Sequence, residues 1–351
     1  MSFLSAPEPR AVVCKPAALL PHLLPSRSPF PRAPIFGYNV NRRERYRAMV
    51  EIIEENGQLV IRIGGQEYAR YQFGPPRWKP YLYPLRAANG LSLLADAPTD
   101  HRHHHGIWAG HGRVDDIDFW LERHNSGKIV HRKFENLVSG GEVGGFTEQC
   151  DWVAPNSSVS LTDTRTFTFY DTPPEARLFD LELTLRAPAQ TTVTLYPTNE
   201  AGLPIVRVAE SLSVRGGGTL TNAEGKKNER QTYRQRSPWV DCSGKLGRLT
   251  CGIAVFDHPQ NPEHPTPWFT RDYGPFSPNF GFFQEEPIIL TPRKPLRLRY
   301  RFYTHSGDVT EGRVAEAWEE YRSAASQTEG AGGGERADRS DRAERVGSKS
   351  E

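Results

Sequence analysis

The stretch VSLTDTRTFTFY, residues 159–170, sets Thr164, Thr166 and Thr168 in alternation with Arg165, Phe167 and Phe169. Side chains of an extended strand point to opposite faces in turn, so this alternation predicts a strand with one buried and one wet face. Six further stretches alternate in the same way or are rich in β-branched and aromatic residues. They are QLVIRI (58–63), KIVHRKFENL (128–137), GFTEQCDWV (145–153), LFDLELTLRA (178–187), LTCGIAVFD (249–257) and LRLRYRFYTH (296–305). Clusters of Gly, Asn, Asp and Pro separate them. Consecutive strands at short spacing pair antiparallel, and many of them pack as two sheets. The expected fold is therefore all-β, a large antiparallel two-sheet sandwich. Only VTEGRVAEAWEEYRSAA, residues 309–325, has helical periodicity, with Val314, Trp318 and Tyr321 on one face. One C-terminal helix is expected there.

The sandwich is expected to be a single domain over residues 49–325, in a chain of 351 residues that can bury a sizeable core. Residues 1–48 hold eight prolines and no sustained period, and read as a disordered extension rich in Pro and Arg. Residues 326–351, with EGAGGGERADRSDRAER, read as a disordered Gly-rich tail. Met1 and Met49 are the only methionines, and Met49 stands directly before the first strand-like stretch. A start at or near Met49 is favoured over a functional basic arm.

The net charge of +2 is unevenly spread. Residues 1–48 carry eight Arg or Lys against Glu8 and Glu44, a balance of +6, and residues 326–351 carry five basic against six acidic groups, which leaves the folded stretch at −3. The core thus gives no footing for nucleic-acid binding. No run approaches the ~18 apolar residues that a membrane span needs. The start, MSFLSAPEPR, lacks the pattern of a secretory signal. The four cysteines, at 14, 150, 242 and 251, include no CxxC pair. Cys242 and Cys251 flank SGKLGRLT and could face each other across a hairpin, but reduced thiols in a cytoplasmic protein are the expectation. There is no GxGxxG after a strand, no Walker loop and no GxSxG, so nucleotide-binding and α/β-hydrolase readings lose their main support.

DHRHHHGIWAGHGRVDDIDFW, from Asp100 to Trp120, holds five of the chain's eleven histidines. If the segment is extended, His101, His103 and His105 share one face and His104 lies on the other. Such a face could chelate a metal through neutral imidazoles, with Asp100, Asp115, Asp116 or Asp118 near in sequence. Nothing fits HExxH, however, and the expected site is metal-free. Proton transfer is the stronger reading, since imidazole titrates near neutral pH and can work on a sugar hydroxyl or an alpha carbon. Trp108, Trp120 and Trp268 offer flat faces on which a sugar ring could stack. For any one histidine, a hydrogen bond to backbone in a turn is an equally good account.

A second dense region, FDHPQNPEHPTPWFTRDYGPFSPN, covers residues 256–279. Its prolines are expected to break regular structure, leaving an irregular loop with His258, His264, Arg271, Asp272 and Tyr273. Arg271 suits bidentate binding of a carboxylate or vicinal hydroxyls, although an Arg271–Asp272 ion pair is as plausible. A third patch, TNEAGLPIVRVAESL (198–212), places Glu200 and Arg207 at strand ends. GKKNERQTYRQRSPWVD (225–241) adds Lys226, Arg236 and Trp239. Glu200 is a candidate buried general base or a hairpin residue.

Taken together, KPYLYPLRAANG (79–90), the histidine stretch, GKKNERQTYRQRSPWVDCSG (225–244) and VFDHPQNPEHPTPWFTRDYG (255–274) resemble the bacterial family labelled PmoA-like, or methane oxygenase PmoA. The resemblance covers roughly residues 50–322. The family pattern, close to D-H-x-H-H-R-G-[LI]-W followed by G-x-D-F-W, is matched by Asp100, His101, His103, His104, Gly106, Trp108, Asp118, Phe119 and Trp120. His105 stands where arginine is usual. The label implies a membrane copper oxygenase, which a chain without a spanning segment contradicts, so the label reads as a misnomer. The ending ILTPRKPLRLRYRFYTHSG also resembles the galactose-mutarotase-like supersandwich. That group includes epimerases, polysaccharide lyases and accessory domains of glycosidases, so the resemblance implies a carbohydrate ligand by analogy.

The expected function is a carbohydrate-active enzyme working by epimerisation, elimination or hydrolysis, without cofactor. His101, His103, His104, Asp118 and Arg271 are the catalytic candidates. Trp108, Trp120, Glu200, Arg207, Lys226, His258, His264, Trp268, Asp272 and Tyr273 are the candidates for binding substrate. A non-catalytic sugar-binding protein is the second expectation. A metal-dependent oxidoreductase, with His101, His103 and His105 as ligands, is the third.

Overall fold

A computed structural model describes residues 49–198, 200–279 and 286–332. The expectations of disorder for residues 1–48 and for the tail beyond 332 lie outside the described residues. The chain opens with β1 (Val50–Glu55), β2 (Gln58–Ile63), β3 (Gln66–Gln72), β4 (Tyr81–Leu85) and β5 (Ile107–His111). A meander follows, of β6 (Lys128–Val138), β7 (Val143–Val153), β8 (Val159–Tyr170) and β9 (Ala176–Arg186). Then come β10 (Val193–Leu195), β11 (Ala201–Arg207), β12 (Thr219–Asn222) and the short helix α1 (Asn228–Thr232). The chain continues with β13 (Trp239–Leu246), β14 (Leu249–Asp257), β15 (Trp268–Thr270), β16 (Pro275–Pro278), β17 (Ile288–Leu290), β18 (Leu296–Ser306) and α2 (Val314–Gly332).

Two eight-stranded sheets result. Sheet 1 has the order β1-β2-β3-β4-β5-β11-β16-β15, and sheet 2 the order β12-β13-β14-β18-β9-β8-β7-β6, with β10 and β17 as a separate pair. Every described strand pairing is antiparallel. The all-β two-sheet sandwich expected from the alternation is the fold observed.

The core lies between the sheets. Leu161, Phe167 and Phe169 of β8 turn inward, while Thr162, Thr164 and Thr166 stay half-exposed. Tyr71 from sheet 1 packs 5.1 Å from both Phe146 and Phe167 of sheet 2, and Phe179 stacks on Phe302 at 4.7 Å. Each such ring contributes about 2–3 kcal/mol by burial. Arg165 also turns inward, and its guanidinium holds Asp163 at 2.7 and 2.9 Å, the partnering that a buried charge requires.

Helix α2 lies on the outer face of sheet 2. Val314, Ala317, Trp318 and Tyr321 are buried there against Phe256 and Tyr303 of β14 and β18. This is the apolar face read from the sequence. The helix runs past Ala325, the expected end, because SQTE contains no helix breaker before Gly330. No helix among the described residues is long and apolar enough to cross a membrane.

Two expectations are corrected. Residues 256–279 were expected to form only an irregular loop, yet they supply β15 and β16 to sheet 1. Pro275 and Pro278 sit at the two ends of β16, where a missing N–H is tolerated. Cys242 and Cys251 do not face each other: Cys242 pairs across from Ile253 and Cys251 from Gly244. Cys150, Cys242 and Cys251 are free thiols, all buried.

Sheet 1 also buries side chains on the face turned away from the core. In β5, Ile107 and Ala109 point to the core and Trp108 points away. In β11, a bulge between Gly202 and Ile205 sets Val206 toward the core, with Ile205 packed against Trp108 on the far side. Arg207, the next residue but one after Ile205, leaves the strand on that far side too.

Candidate functional site

A small apolar layer covers this far face, made of Tyr81, Trp108, Trp120, Ala201, Ile205 and Phe269. The histidine stretch lies against it as a tight turn. Ala97 N–H donates to His104 O at 2.8 Å and His104 N–H to His101 O at 3.0 Å. Gly106 ends the turn with a positive φ of 47°, and a Cβ there would sit 2.2 Å from the carbonyl oxygen of Leu82 in β4. Only glycine lets the turn lie this close to the sheet.

Because the segment turns, the expected alternation of the histidines fails. His101 stacks on His104 at 4.6 Å, and His103 stands edge-on to His104 at the same distance. Trp120 lies 6.2 Å from His103 and 5.8 Å from His104, and Trp108 lies 5.1 Å from His104. His103 is half-buried and hydrogen-bonds to none of the described residues. Burial, followed by the neighbouring Lys79 and His101, lowers its pKa to about 4. Burial and the neighbouring histidines take His104 down to about 2. Both rings are thus neutral at pH 7 and only weakly basic.

His105 belongs to a second constellation. Its Nδ1 lies 2.5 Å from Asp96 Oδ1 and its Nε2 lies 2.9 Å from Glu122 Oε1, and it stacks on Tyr81 at 4.6 Å. Burial works against its charge, but the bonds to Asp96 and Glu122 prevail and raise its pKa. Glu122 also lies 3.3 Å from Lys79 Nζ, which donates to Trp120 O at 2.7 Å. The ligand set His101, His103 and His105 is therefore not a chelating face, since both nitrogens of His105 are committed to carboxylates. No group of three His, Cys, Asp or Glu suited to a metal occurs among the described residues.

The third constellation joins two distant parts of the sequence. Arg207 Nη2 donates to both oxygens of Asp100 at 3.0 and 2.9 Å, and its guanidinium lies 5.0 Å over the ring of Tyr273. Tyr273 stacks on His101 at 4.8 Å, so the histidine turn and the 256–279 region meet at one place. His101 Nδ1 is 3.0 Å from Asp100 Oδ2, near enough for an ion pair but out of line for a hydrogen bond. Burial acts to raise the Asp100 pKa, but Arg207 and His101 outweigh it and hold it at about 2. Among the described residues, His104 Nδ1, Trp108 Nε1, and Arg207 Nε and Nη1 are buried and find no partner. Each unmade bond costs about 1–3 kcal/mol, which a ligand group or an enclosed water would recover.

Other predicted residues have structural work or lie elsewhere. Asp118 accepts the N–H groups of Trp120 and Leu121 at 2.6 and 3.0 Å, and so shapes the loop. Trp108 and Trp120 are 2% and 4% exposed, too enclosed to offer open faces to a sugar. Trp268 is a core residue whose indole N–H donates to Ser237 O, because β15 turns it between the sheets. His264 pairs with Asp257 at 2.8 Å and stacks on Trp318, and His258 meets Tyr321 edge-on. Both therefore lie beneath α2 on sheet 2. Arg271 binds Glu229 of α1 at 2.7 Å rather than its neighbour Asp272, whose carboxylate accepts the Glu229 N–H at 2.9 Å. Arg271 also lies 4.3 Å over Tyr233, at the rim of the apolar layer. Glu200 is exposed as a residue rather than a buried base, although partial burial of its carboxyl raises its pKa. Lys226 is exposed and donates to Gln235 at 2.8 Å, while Trp239 is buried under α2 and Arg236 pairs with Glu263 at the surface.

The sequence reading did not single out Lys79, Asp96, Glu122 or Glu229. Lys79 follows Trp78 at the head of one quoted stretch and Glu122 falls two residues beyond the end of the histidine stretch, and nothing local marks them as a pair.

Residues 58–319 match the model of a family described as a family of unknown function, DUF6807. No curated protein matches the chain. The match overturns the resemblance to a PmoA-like family, for which no support is found, and removes the label on which the oxidoreductase expectation drew.

Proposed function

The chain belongs to the DUF6807 family of unknown function, and from that premise we propose that the cluster around His103 binds a mono- or oligosaccharide and that His103 moves a proton on it. The observation that carries the reading is the burial of Lys79, His104 and Arg207, each 2–3% exposed, on the face of sheet 1 that is not the core. Folding gains nothing from polar groups there, and burying a charge costs several kcal/mol unless it is well partnered. Such an arrangement is characteristic of a functional site.

Within it, His103 is half-open, and a pKa of about 4 keeps it neutral at pH 7 but weakly basic. A bound sugar that shuts out Lys79 or brings an acceptor to the ring must raise that value for it to take a proton. Asp100, Tyr273 and Arg207 flank it with acceptor, ring and donor groups of the kind that sugar hydroxyls and ring faces use. The two-sheet sandwich is consistent with the galactose-mutarotase-like analogy, and the three free thiols fit a reducing compartment such as the cytoplasm.

Binding without turnover is the second reading. It draws on the partnering of the other charged groups: Lys79 and His105 with Glu122, Arg207 with Asp100, and Arg271 with Glu229. One experiment separates the two. The protein is mixed with a panel of neutral and acidic mono- and oligosaccharides, and ligand-observed NMR follows both saturation transfer and changes in the sugar itself. Turnover supports the enzyme, binding alone supports the second reading, and no contact with any sugar sinks both.

A further inference from the structure

Arg177, at the start of β9, is 5% exposed and reaches from sheet 2 to sheet 1. Its Nη2 donates to Ile63 O at the end of β2, at 3.2 Å, and its guanidinium lies 5.4 Å over the ring of Tyr68 in β3. Tyr68 is fixed in turn by a hydrogen bond to Thr304 at 3.1 Å. Nη1 has no partner among the described residues. Among the described residues no carboxylate pairs with Arg177 directly: Asp171 and Glu175 act on it only at longer range, and its pKa is lowered, by burial first. A buried guanidinium without a counter-ion is costly, and packing alone would be better served by an apolar side chain.

Arg177 lines a cleft of about 390 Å³ together with Gln66, Glu67, Arg86 and Asn89. Glu67 is the one carboxylate in that lining, and it is already shared between Arg70 at 2.6 Å and Arg86 at 2.8 Å. Two guanidiniums, Arg86 and Arg177, thus line the cleft against a single carboxylate that Arg70, outside the lining, also holds.

We propose that this cleft binds an oxyanion, a carboxylate or phosphate group on a molecule of about monosaccharide size, with Arg177 as its counter-ion. A planar guanidinium with a free edge suits either group through paired N–H donors. The size of the cleft falls in the range of small-molecule sites. Nη1 is closed off from solvent, so the anion reaches it only by a shift of the Arg177 side chain toward the cleft. The proposal stands apart from the role given to His103, which sits in the turn before β5 and does not line this cleft.

The test uses the full chain at constant ionic strength. Calorimetric titration and thermal melts are run with inorganic phosphate and with glucuronate, and with chloride and glucose as controls. Saturable binding of phosphate or glucuronate, with a melting temperature that rises with ligand concentration, supports the site. The anion that binds tells which group it takes. Arg177→Gln should weaken that binding at least tenfold. Should that variant not fold, Ala88→Glu, on the exposed rim, places a carboxylate at the cleft and should also abolish binding. The proposal is overturned if neither anion binds, if chloride gives the same melting shift, or if binding survives Ala88→Glu unchanged.

Discussion

Lys79 Nζ lies 3.3 Å from Glu122 Oε1, with 2% of the lysine side chain and 18% of the glutamate exposed. Burial lowers the Lys79 pKa and Glu122 works against that, so the carboxylate is what keeps the ammonium tolerable in the site. Removing one partner of a buried pair costs about 3–5 kcal/mol, because the other charge is left stranded. Glu122→Ala should therefore lower stability by about that amount, since it strands His105 as well as Lys79. Lys79→Met should cost far less, because Glu122 keeps His105. Urea denaturation of both variants checks the order, and equal losses would contradict it.

Four buried or half-buried histidines set the acid limit of the fold. Burial is the leading cause in each, and it takes His103, His111 and His258 to about 4 and His104 to about 2. Unfolded histidine titrates near ~6.5, so below that pH the unfolded chain binds protons that the folded chain refuses. Their contribution is present above ~6.5 and is lost as pH falls toward 4, at up to about 1.4 kcal/mol per pH unit for each enclosed ring. His103, being half-open, contributes less. His105 runs the other way: its raised pKa adds stability on the acid side that disappears as pH rises through its folded value. Four against one, the denaturation midpoint should fall between pH 6.5 and 5. A midpoint that stays level over that range would show that these rings are protonated in the fold.

Trp318 is 5% exposed and lies 5.8 Å from Phe256 and 5.9 Å from His264. It anchors α2 to sheet 2, on the opposite sheet from the histidine turn. Trp318→Ala should cost about 3–5 kcal/mol by cavity formation and expose α2 to limited proteolysis. Ligand binding at the histidine cluster should persist below the new melting temperature. Loss of binding with the fold intact would mean that the helix and the site are coupled.

The sandwich and α2 were legible because both rest on local periodicity, as the threonines of β8 and the Val314, Trp318 and Tyr321 face show. The meeting of His101 with Tyr273 was foreseeable only as a collection of polar and aromatic residues in two dense stretches. The partners were not legible. Asp100 and Arg207 are 107 residues apart, and Arg271 finds Glu229 rather than the adjacent Asp272. Which strands lie side by side decides such pairs, and alternation along one strand carries no record of its neighbours. Composition also misled where residue type suggested exposure. Trp268 looked like a sugar platform, yet β15 turns it into the core, and His258 and His264 were drawn under α2.

The sharpest contrast lies between two histidines two positions apart. His103 makes ring contacts only, whereas His105 holds Asp96 and Glu122 at 2.5 and 2.9 Å. Replacing His103 with asparagine removes a neutral, half-open imidazole and strands no charge. The melting temperature should move by no more than a few degrees, consistent with the small effects of substitutions away from packed or paired groups. If His103 carries the proton, turnover of whichever sugar the panel identifies should drop about 10²–10⁴-fold, the usual contribution of a general acid or base, with the sugar still bound. Replacing His105 with asparagine leaves two half-buried carboxylates, Asp96 and Glu122, on either side of the site with Lys79 as the remaining cation. Stability should fall by about 3–5 kcal/mol. Melting curves and turnover measured on the two variants side by side decide the assignment. The reverse pattern, an inactive but stable His105 variant beside an active His103 variant, would move the chemistry to the pair formed by His105 and Glu122.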